Sequence, residues 1–202
     1  MPVKLLLATR NPGKAREFAA LLRDGEIELL DLRDLPNAAP ATPETEDTYW
    51  GNAFLKANEV ARWSSLPSLA DDSGLEVDAL GGAPGVHSAY FAGPHATDAD
   101  NIRKLLEELR GVPLERRTAR FRCVLVVVRP DGQHLSAEGT CEGIILEEPR
   151  GKAGFGYDPV FFYPPLGKTF AELSFEEKNR VSHRARAAVF LKPKLLPFLR
   201  EA

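Results

Sequence analysis

A chain of 202 residues, 44% hydrophobic and 27% charged, has the length of one sizeable domain and the composition of an ordinary globule, which excludes a disordered or fibrous protein. Its formal net charge of −3, with acids and bases interspersed, excludes a surface that holds a polynucleotide in a broad basic field. No stretch approaches the roughly eighteen consecutive apolar residues of a membrane span, so no membrane partner is expected.

In chain order, "VKLLLAT" at 3–9 reads as a strand ending at Asn-Pro-Gly, and "KAREFAALLR" after it carries Ala15, Phe18, Ala19 and Leu22 at helical spacing. Pro12 falls in the first helical turn, where a missing N–H leaves nothing unpaired. The opening apolar segment is too short for a secretory signal, so the cytosol is the expected compartment. "IELLDL" (27–32) reads as a second strand and "PNAAPATPETEDT" (36–48) as an irregular loop. A helix follows, with Ala53, Phe54, Ala57, Val60 and Ala61 on one stripe.

"LPSLADDSGLEVDALGGAPGV" (66–86) is expected to give a strand, a tight turn, a second strand and a glycine-rich loop. "DADNIRKLLEELR" (98–110) predicts a helix capped by an aspartate, with Ile102, Leu105, Leu106 and Leu109 on its apolar face. "TARFRCVLVVVR" (118–129) alternates and then turns wholly apolar, as a long strand entering a core does. "PDG" at 130–132 signals a hairpin whose return, "QHLSAEGTCEGIIL", should be antiparallel. Cys123 and Cys141 lack metal-ligand spacing and are expected to be buried thiols, with no zinc. "SFEEKN" starts with a serine able to cap a short helix, and "SHRARAAVFLKPKLLPFL" (182–199) should form a last helix, broken or kinked near Pro193. The sum is a mixed α/β protein.

Several stretches carry chemistry. "TRNPGK" (9–14) sets a hydroxyl, an amide, a glycine and a lysine at a strand-to-helix junction, where free N–H groups and the helix dipole attract a phosphate. It also reads as an ordinary turn, and it lacks the spacing of a P-loop. "ADDSG" (70–74) places two carboxylates at a strand end. Adjacent strand residues point to opposite faces, so at most one of Asp71 and Asp72 should face a given site, where it could hold Mg²⁺ or orient a water. Asp-Ser-Gly equally suits a turn. "PETEDT" (43–48) supplies Glu44, Glu46 and Asp47, and "GFGYDPVFF" sets a glycine between two rings, then an aspartate, at the mouth of a strand. "EEKNRVSHRARA" (176–187) gathers Lys178, His183 and Arg184 near a helix start, where cations oppose the dipole and an anionic or carbonyl-rich ligand would relieve them.

Six blocks in register, "TxNxxK" at 9–14, "NAxxKA" at 52–57, "ADDSGLxVDxLGGxPGVxSA" at 70–89, "GFGYDPxF" at 154–161, "GKTxAEL" at 167–173 and "EEKNxxSHR" at 176–184, resemble the Ham1-like inosine triphosphate pyrophosphatase family. The resemblance implies a mixed twisted sheet flanked by helices, in two lobes with a central cleft. It implies Mg²⁺-dependent hydrolysis of ITP, dITP and XTP to the monophosphate and pyrophosphate, keeping deaminated purines out of nucleic acid, by a single domain over 1–202 that is typically a homodimer. Thr9, Arg10, Asn11, Pro12, Gly13, Lys14 and Lys56 then stand as triphosphate contacts and Ser73 as a further substrate contact. Asp72 stands as general base and metal-side carboxylate, with Glu44 a second metal ligand. Phe155, Gly156, Tyr157, Asp158, Lys178, His183 and Arg184 stand as a base pocket in which rings clamp the purine. Gly51 departs from the family, where many relatives carry an acid, and leaves the metal shell less defined on that side.

Donors from His183, Arg184 or nearby backbone would pair with a 6-oxo group but meet adenine's amine unsatisfied, a mismatch that rejects the wrong base by roughly 10⁴ at most. Two rivals differ in product or need. A phosphatase acting through an aspartyl-phosphate on Asp71 or Asp72 would release orthophosphate, and its usual Asp-x-Asp after the first strand is absent. A purine nucleotide sensor would have no use for the carboxylates.

Overall fold

The computed structural model describes residues 1–35 and 38–201. Pro36 and Asn37, at the start of the expected loop, lie outside them, and 38–46 carry no regular element. Among the described residues, seven strands form one sheet in the order β2-β1-β3-β4-β5-β6-β7, with β1 (Val3–Leu7), β2 (Ile27–Asp31), β3 (Ser68–Val77), β4 (Thr118–Val128), β5 (His134–Ile145), β6 (Phe161–Tyr163) and β7 (Lys168–Thr169). β1 runs parallel to β2 and β3, whereas β6 is antiparallel to β5 and β7, so the sheet is mixed. The helices are α1 (Pro12–Leu21), α2 (Tyr49–Ser64), α3 (Asp98–Glu108), α4 (Phe175–Val181) and α5 (His183–Arg200).

The chain divides into two compact units. Unit 1 comprises Met1–Asp72, Cys123–Gly139 and Arg184–Ala202, of which Ala202 lies outside the described residues; unit 2 comprises Ser73–Arg122 and Thr140–His183. Each buries its own apolar cluster. In unit 1, Leu5 and Leu7 of β1, Leu69 of β3 and Leu125 and Val127 of β4 pack with Phe18 and Leu22 and with Leu191, Leu195 and Leu199 of α5. In unit 2, Leu75, Val77, Phe121, Ile145 and Phe161 pack with Ile102, Leu105 and Leu109, the stripe expected of α3. Both cysteines are buried thiols, one in each unit.

Three expectations are corrected. The tight turn at Asp-Ser-Gly does not form: β3 runs unbroken through Asp71, Asp72, Ser73 and Gly74, because both carboxylates find cationic partners and the strand is buried along most of its length. The cap of α3 is Thr97, whose hydroxyl accepts from the Asp100 backbone N–H while the Asp100 carboxylate accepts from Thr97 in return, so Asp98 is released from capping. Nor does the last helix break at Pro193. Pro193 and Pro197 both lie on the exposed side of α5, where solvent can satisfy the carbonyls that lose an N–H partner, while Leu191, Leu195 and Leu199 anchor the opposite stripe.

Candidate active site

The first cluster belongs to unit 1 and begins at the start of α1. Asn11 caps the helix: its side-chain oxygen accepts from the backbone N–H groups of Gly13 at 2.9 Å and Lys14 at 3.1 Å, while Thr9 Oγ1 accepts from the Asn11 N–H at 3.2 Å. The turn thus satisfies donors that the sequence reading leaves free for an anion, and the positive features that remain at this turn are the helix dipole and the Lys14 ammonium. Pro12 occupies the first helical position. Arg10 donates to the Ala39 carbonyl at 2.8 Å and so ties the 38–46 loop to this turn.

The two adjacent aspartates of β3 have different partners, as the alternation of a strand requires. Lys14 Nζ lies 2.8 Å from Asp71 Oδ2, and Arg184 Nε lies 3.6 Å from the same oxygen. Arg184 Nη1 is also 3.1 Å from Glu17 Oε2, and all three of Asp71, Arg184 and Glu17 are buried. Burial alone would raise the Asp71 carboxyl, but Lys14, Arg184 and Lys56 outweigh it and hold that group well below the usual carboxylate range. The Arg184 charge, expected at the base, is thus engaged with acids of unit 1.

Asp72 has the opposite balance. Its Oδ1 is 3.0 Å from Lys56 Nζ on α2, and the same ammonium lies 2.8 Å from Glu44 Oε1 in the loop. Burial, reinforced by the Glu44 charge, pushes the Asp72 carboxyl up to about 6 against the pull of Lys56 and Lys14. Lys56 is itself desolvated, yet Asp72, Asp71 and Glu44 together hold its pKa above the ordinary value. Two carboxylates therefore converge on one cation, an all-oxygen donor pair of the kind a hard divalent ion uses. Among the described residues no group of three or more His, Cys, Asp or Glu is placed to hold a metal. A Mg²⁺ site has no need of one, since one or two carboxylates with waters and substrate phosphates suffice.

The second cluster lies within unit 2, in the turn before β6. Asp158, buried, accepts from the Phe155 backbone N–H at 3.0 Å and from Lys178 Nζ at 2.5 Å, and Lys178 Nζ sits 4.6 Å from the centre of the Phe155 ring. Gly154 has φ +79°, and a Cβ there would come 2.0 Å from Asp158 Oδ2, so only glycine lets the carboxylate seat. The Gly156 N–H donates to Asp98 Oδ2 at 2.7 Å, using the carboxylate that Thr97 released. Tyr157 is 4% exposed, belongs to the unit 2 core and donates its hydroxyl to the Ser88 carbonyl at 2.8 Å. The two rings of "FGY" therefore do not form a matched clamp: Tyr157 is a core ring, and Phe155 alone of the pair is partly exposed. His183 is buried and stacks on Phe121, ring centres 4.7 Å apart. Ser73 opens the unit 2 part of β3 and is partly exposed.

Three residues escaped the sequence reading. Asn52 stood in a quoted block, and an asparagine in the first turn of a helix is the available signal that its amide has a task beyond propensity. Glu17 has no such signal, since a carboxylate on an amphipathic helix usually faces water. Asp98 was read as a cap.

Comparison with known proteins adds to this geometry. Residues 5–194 match the family described as "Ham1 family". A "dITP/XTP pyrophosphatase" of Geobacillus kaustophilus is 55% identical over 184 residues, covering 91% of this chain and 90% of that protein. Another, of Methylococcus capsulatus, is 53% identical over 197 residues, covering 95% of this chain and 96% of its own. A solved structure of a HAM1 protein from Coxiella burnetii superposes with a TM-score of 0.87 at 42% identity, covering 96% of this chain and 99% of that one.

Proposed function

The chain belongs to the Ham1 family, and from that premise we infer that it hydrolyses non-standard purine nucleoside triphosphates, ITP, dITP and XTP, to the monophosphate and pyrophosphate. One observation carries the reading: the Lys56 ammonium held between Glu44 at 2.8 Å and Asp72 at 3.0 Å, with Lys14 held by the neighbouring Asp71. Two lysines held by acids suit a polyanion, and a carboxyl raised to about 6 suits a base that is ionised at neutral pH.

Lys14 and Lys56 bind oxygens of the triphosphate and neutralise the charge that grows on the pyrophosphate as the α–β bridge breaks. The carboxylate of Asp72 orients the attacking water and takes its proton. Glu44 and Asp72 would hold Mg²⁺, which when bound supplies charge neutralisation and polarises phosphate oxygens. Thr9, Asn11 and the helix dipole of α1 support the same phosphate end. Recognition of the purine is assigned to Phe155, Gly156, Asp158, Lys178 and His183. The buried Asp158–Lys178 pair keeps the turn and the Phe155 ring in place, and a 6-oxo purine is selected because its carbonyl accepts where adenine's amine cannot. The protein acts on small nucleotides as a cytosolic homodimer in this reading, and light scattering measures the oligomeric state.

A panel of nucleoside triphosphates tests the reading, with pyrophosphate and orthophosphate measured separately at several Mg²⁺ concentrations and after chelation. Pyrophosphate with the monophosphate from ITP, dITP and XTP, far above the yield from ATP and abolished by chelation, is the expected result. Orthophosphate with the diphosphate would transfer the chain to the phosphatase class, and tight ITP binding without turnover would make it a sensor.

A further inference from the structure

We propose that Asn52 is a positioning residue that fixes the spacing of Glu44 and Asp72, and hence the geometry in which these two carboxylates take a divalent cation. The inference rests on the hydrolase reading of the same site. Asn52 sits in the first turn of α2 with 1% of its surface exposed. Its amide grips the loop backbone at both ends: Oδ1 accepts the Glu46 N–H at 3.0 Å, and Nδ2 donates to the Glu46 carbonyl at 3.0 Å. The same Nδ2 reaches Asp72 Oδ2 at 3.4 Å, on the carboxylate whose other oxygen faces Lys56. One side chain therefore links the loop two residues beyond Glu44 to the strand that carries Asp72. No other residue type offers a donor and an acceptor in this arrangement on so short a side chain.

The segment between them is built to let this happen. Thr48 caps α2 by accepting from the Gly51 N–H at 3.0 Å. A Cβ at Gly51 would lie 2.8 Å from Glu46 Cβ and 3.0 Å from Thr48 Oγ1, so in this conformation of the loop any side chain at 51 would push Glu46 aside. Elsewhere the loop is pinned by the Thr42 hydroxyl, 2.5 Å from Glu59 Oε2, and by Arg10 on the Ala39 carbonyl. Those pins set the loop's course but neither reaches a carboxylate of the pair. Partners that orient metal-binding carboxylates from behind typically govern metal affinity or activity by about 10–100-fold.

Two variants test this. Asn52→Asp keeps an acceptor for the Glu46 N–H but loses the donor to the Glu46 carbonyl and to Asp72. Gly51→Ala leaves Asn52 intact and pushes on the same loop from the other side. In each, the Mg²⁺ concentration giving half-maximal pyrophosphate release should rise about 10–100-fold, while KM for ITP at saturating Mg²⁺ changes by less than about threefold. In the metal-free protein, amide exchange at Glu46 should accelerate at least about tenfold in Asn52→Asp, a readout independent of turnover. Unchanged exchange at Glu46, or an unchanged Mg²⁺ requirement beside a metal-dependent wild type, overturns the inference. A wild type that releases no pyrophosphate defeats the hydrolase reading instead, and exchange at Glu46 then decides whether Asn52 holds the loop.

Discussion

Asp71 and Asp72 are chemically identical neighbours, and their surroundings drive them in opposite directions. Asp71, lowered by Lys14 and Arg184 against its burial, contributes stability that is present above the unfolded carboxyl value of 3.8 and is lost as pH falls through its folded value. Asp71→Asn should therefore destabilise the protein at pH 7 by about 1–3 kcal/mol, because it removes the acid facing Lys14 and one of the two acids facing the buried Arg184, and a urea midpoint measures this. Asp72 is raised to about 6, so between pH 7 and 4 the folded chain takes up a proton that the unfolded chain does not, and stability from this group increases as pH falls. Asp72→Asn should accordingly leave the urea midpoint at pH 7 unchanged or higher, while turnover falls by about 10²–10⁴, the usual contribution of a general base. In the wild type the acid limb of kcat/KM should lie at or below about 6, since a bound cation can only lower the carboxyl further. A destabilised Asp72→Asn with normal turnover would remove Asp72 from the base role. The opposite facing of these two side chains was legible from strand periodicity alone, but the sign of each shift was not. It depends on Lys14, Lys56 and Arg184, which stand far apart in sequence.

The elements show the same boundary between local and distant causes. The helical stripes of α2 and α3, that of α1 apart from the exposed Ala19, and the long apolar run of β4 were readable because 3.6-residue and two-residue periods are written in neighbouring residues. β3 was misread as two strands because Asp-Asp-Ser-Gly carries a local turn signal, and only partners from α1 and α2 neutralise it. The break expected in α5 near Pro193, the alternative there to a kink, does not form for a related reason: a proline's local cost is fixed, but whether a helix survives it depends on what the other face buries. On this account the leucine stripe, and not propensity, holds α5. Leu195→Ala, which empties a site 1% exposed, should cost about 2–5 kcal/mol, whereas Pro193→Ala should stabilise by about 1–3 kcal/mol, both read from denaturant midpoints. A Pro193→Ala variant less stable than the parent would mean that the proline has a packing role of its own. At the site, the lysines and Asp72 stood in recognisable blocks, but Asn52 and Glu17 gain their importance only from partners the sequence does not place beside them.

For the molecule as a whole, the path of the chain matters more than the number of cores. Unit 1 is assembled from three separate segments and unit 2 from two, and the chain passes from one to the other within β3, within β4, within β5 and at the start of α5. Neither unit is a continuous stretch of sequence, so neither can complete its core before distant segments have arrived, and closing those long loops is an entropic cost shared by both. Strands that begin in one apolar cluster and end in the other also cannot lose their order at one end without disturbing the backbone at the other. Cooperative two-state unfolding is the consequence. The two tryptophans provide the means to check it, because Trp50 and Trp63 both belong to unit 1. Leu105 is fully buried in the core of unit 2, and Leu105→Ala should cost about 2–5 kcal/mol. If unfolding is a single event, that variant shifts the tryptophan fluorescence midpoint as far as the far-ultraviolet dichroism midpoint, although it touches only unit 2. A fluorescence transition that stays at the parental midpoint while the dichroism transition splits would show that the units unfold separately, and that crossing strands do not suffice to couple them.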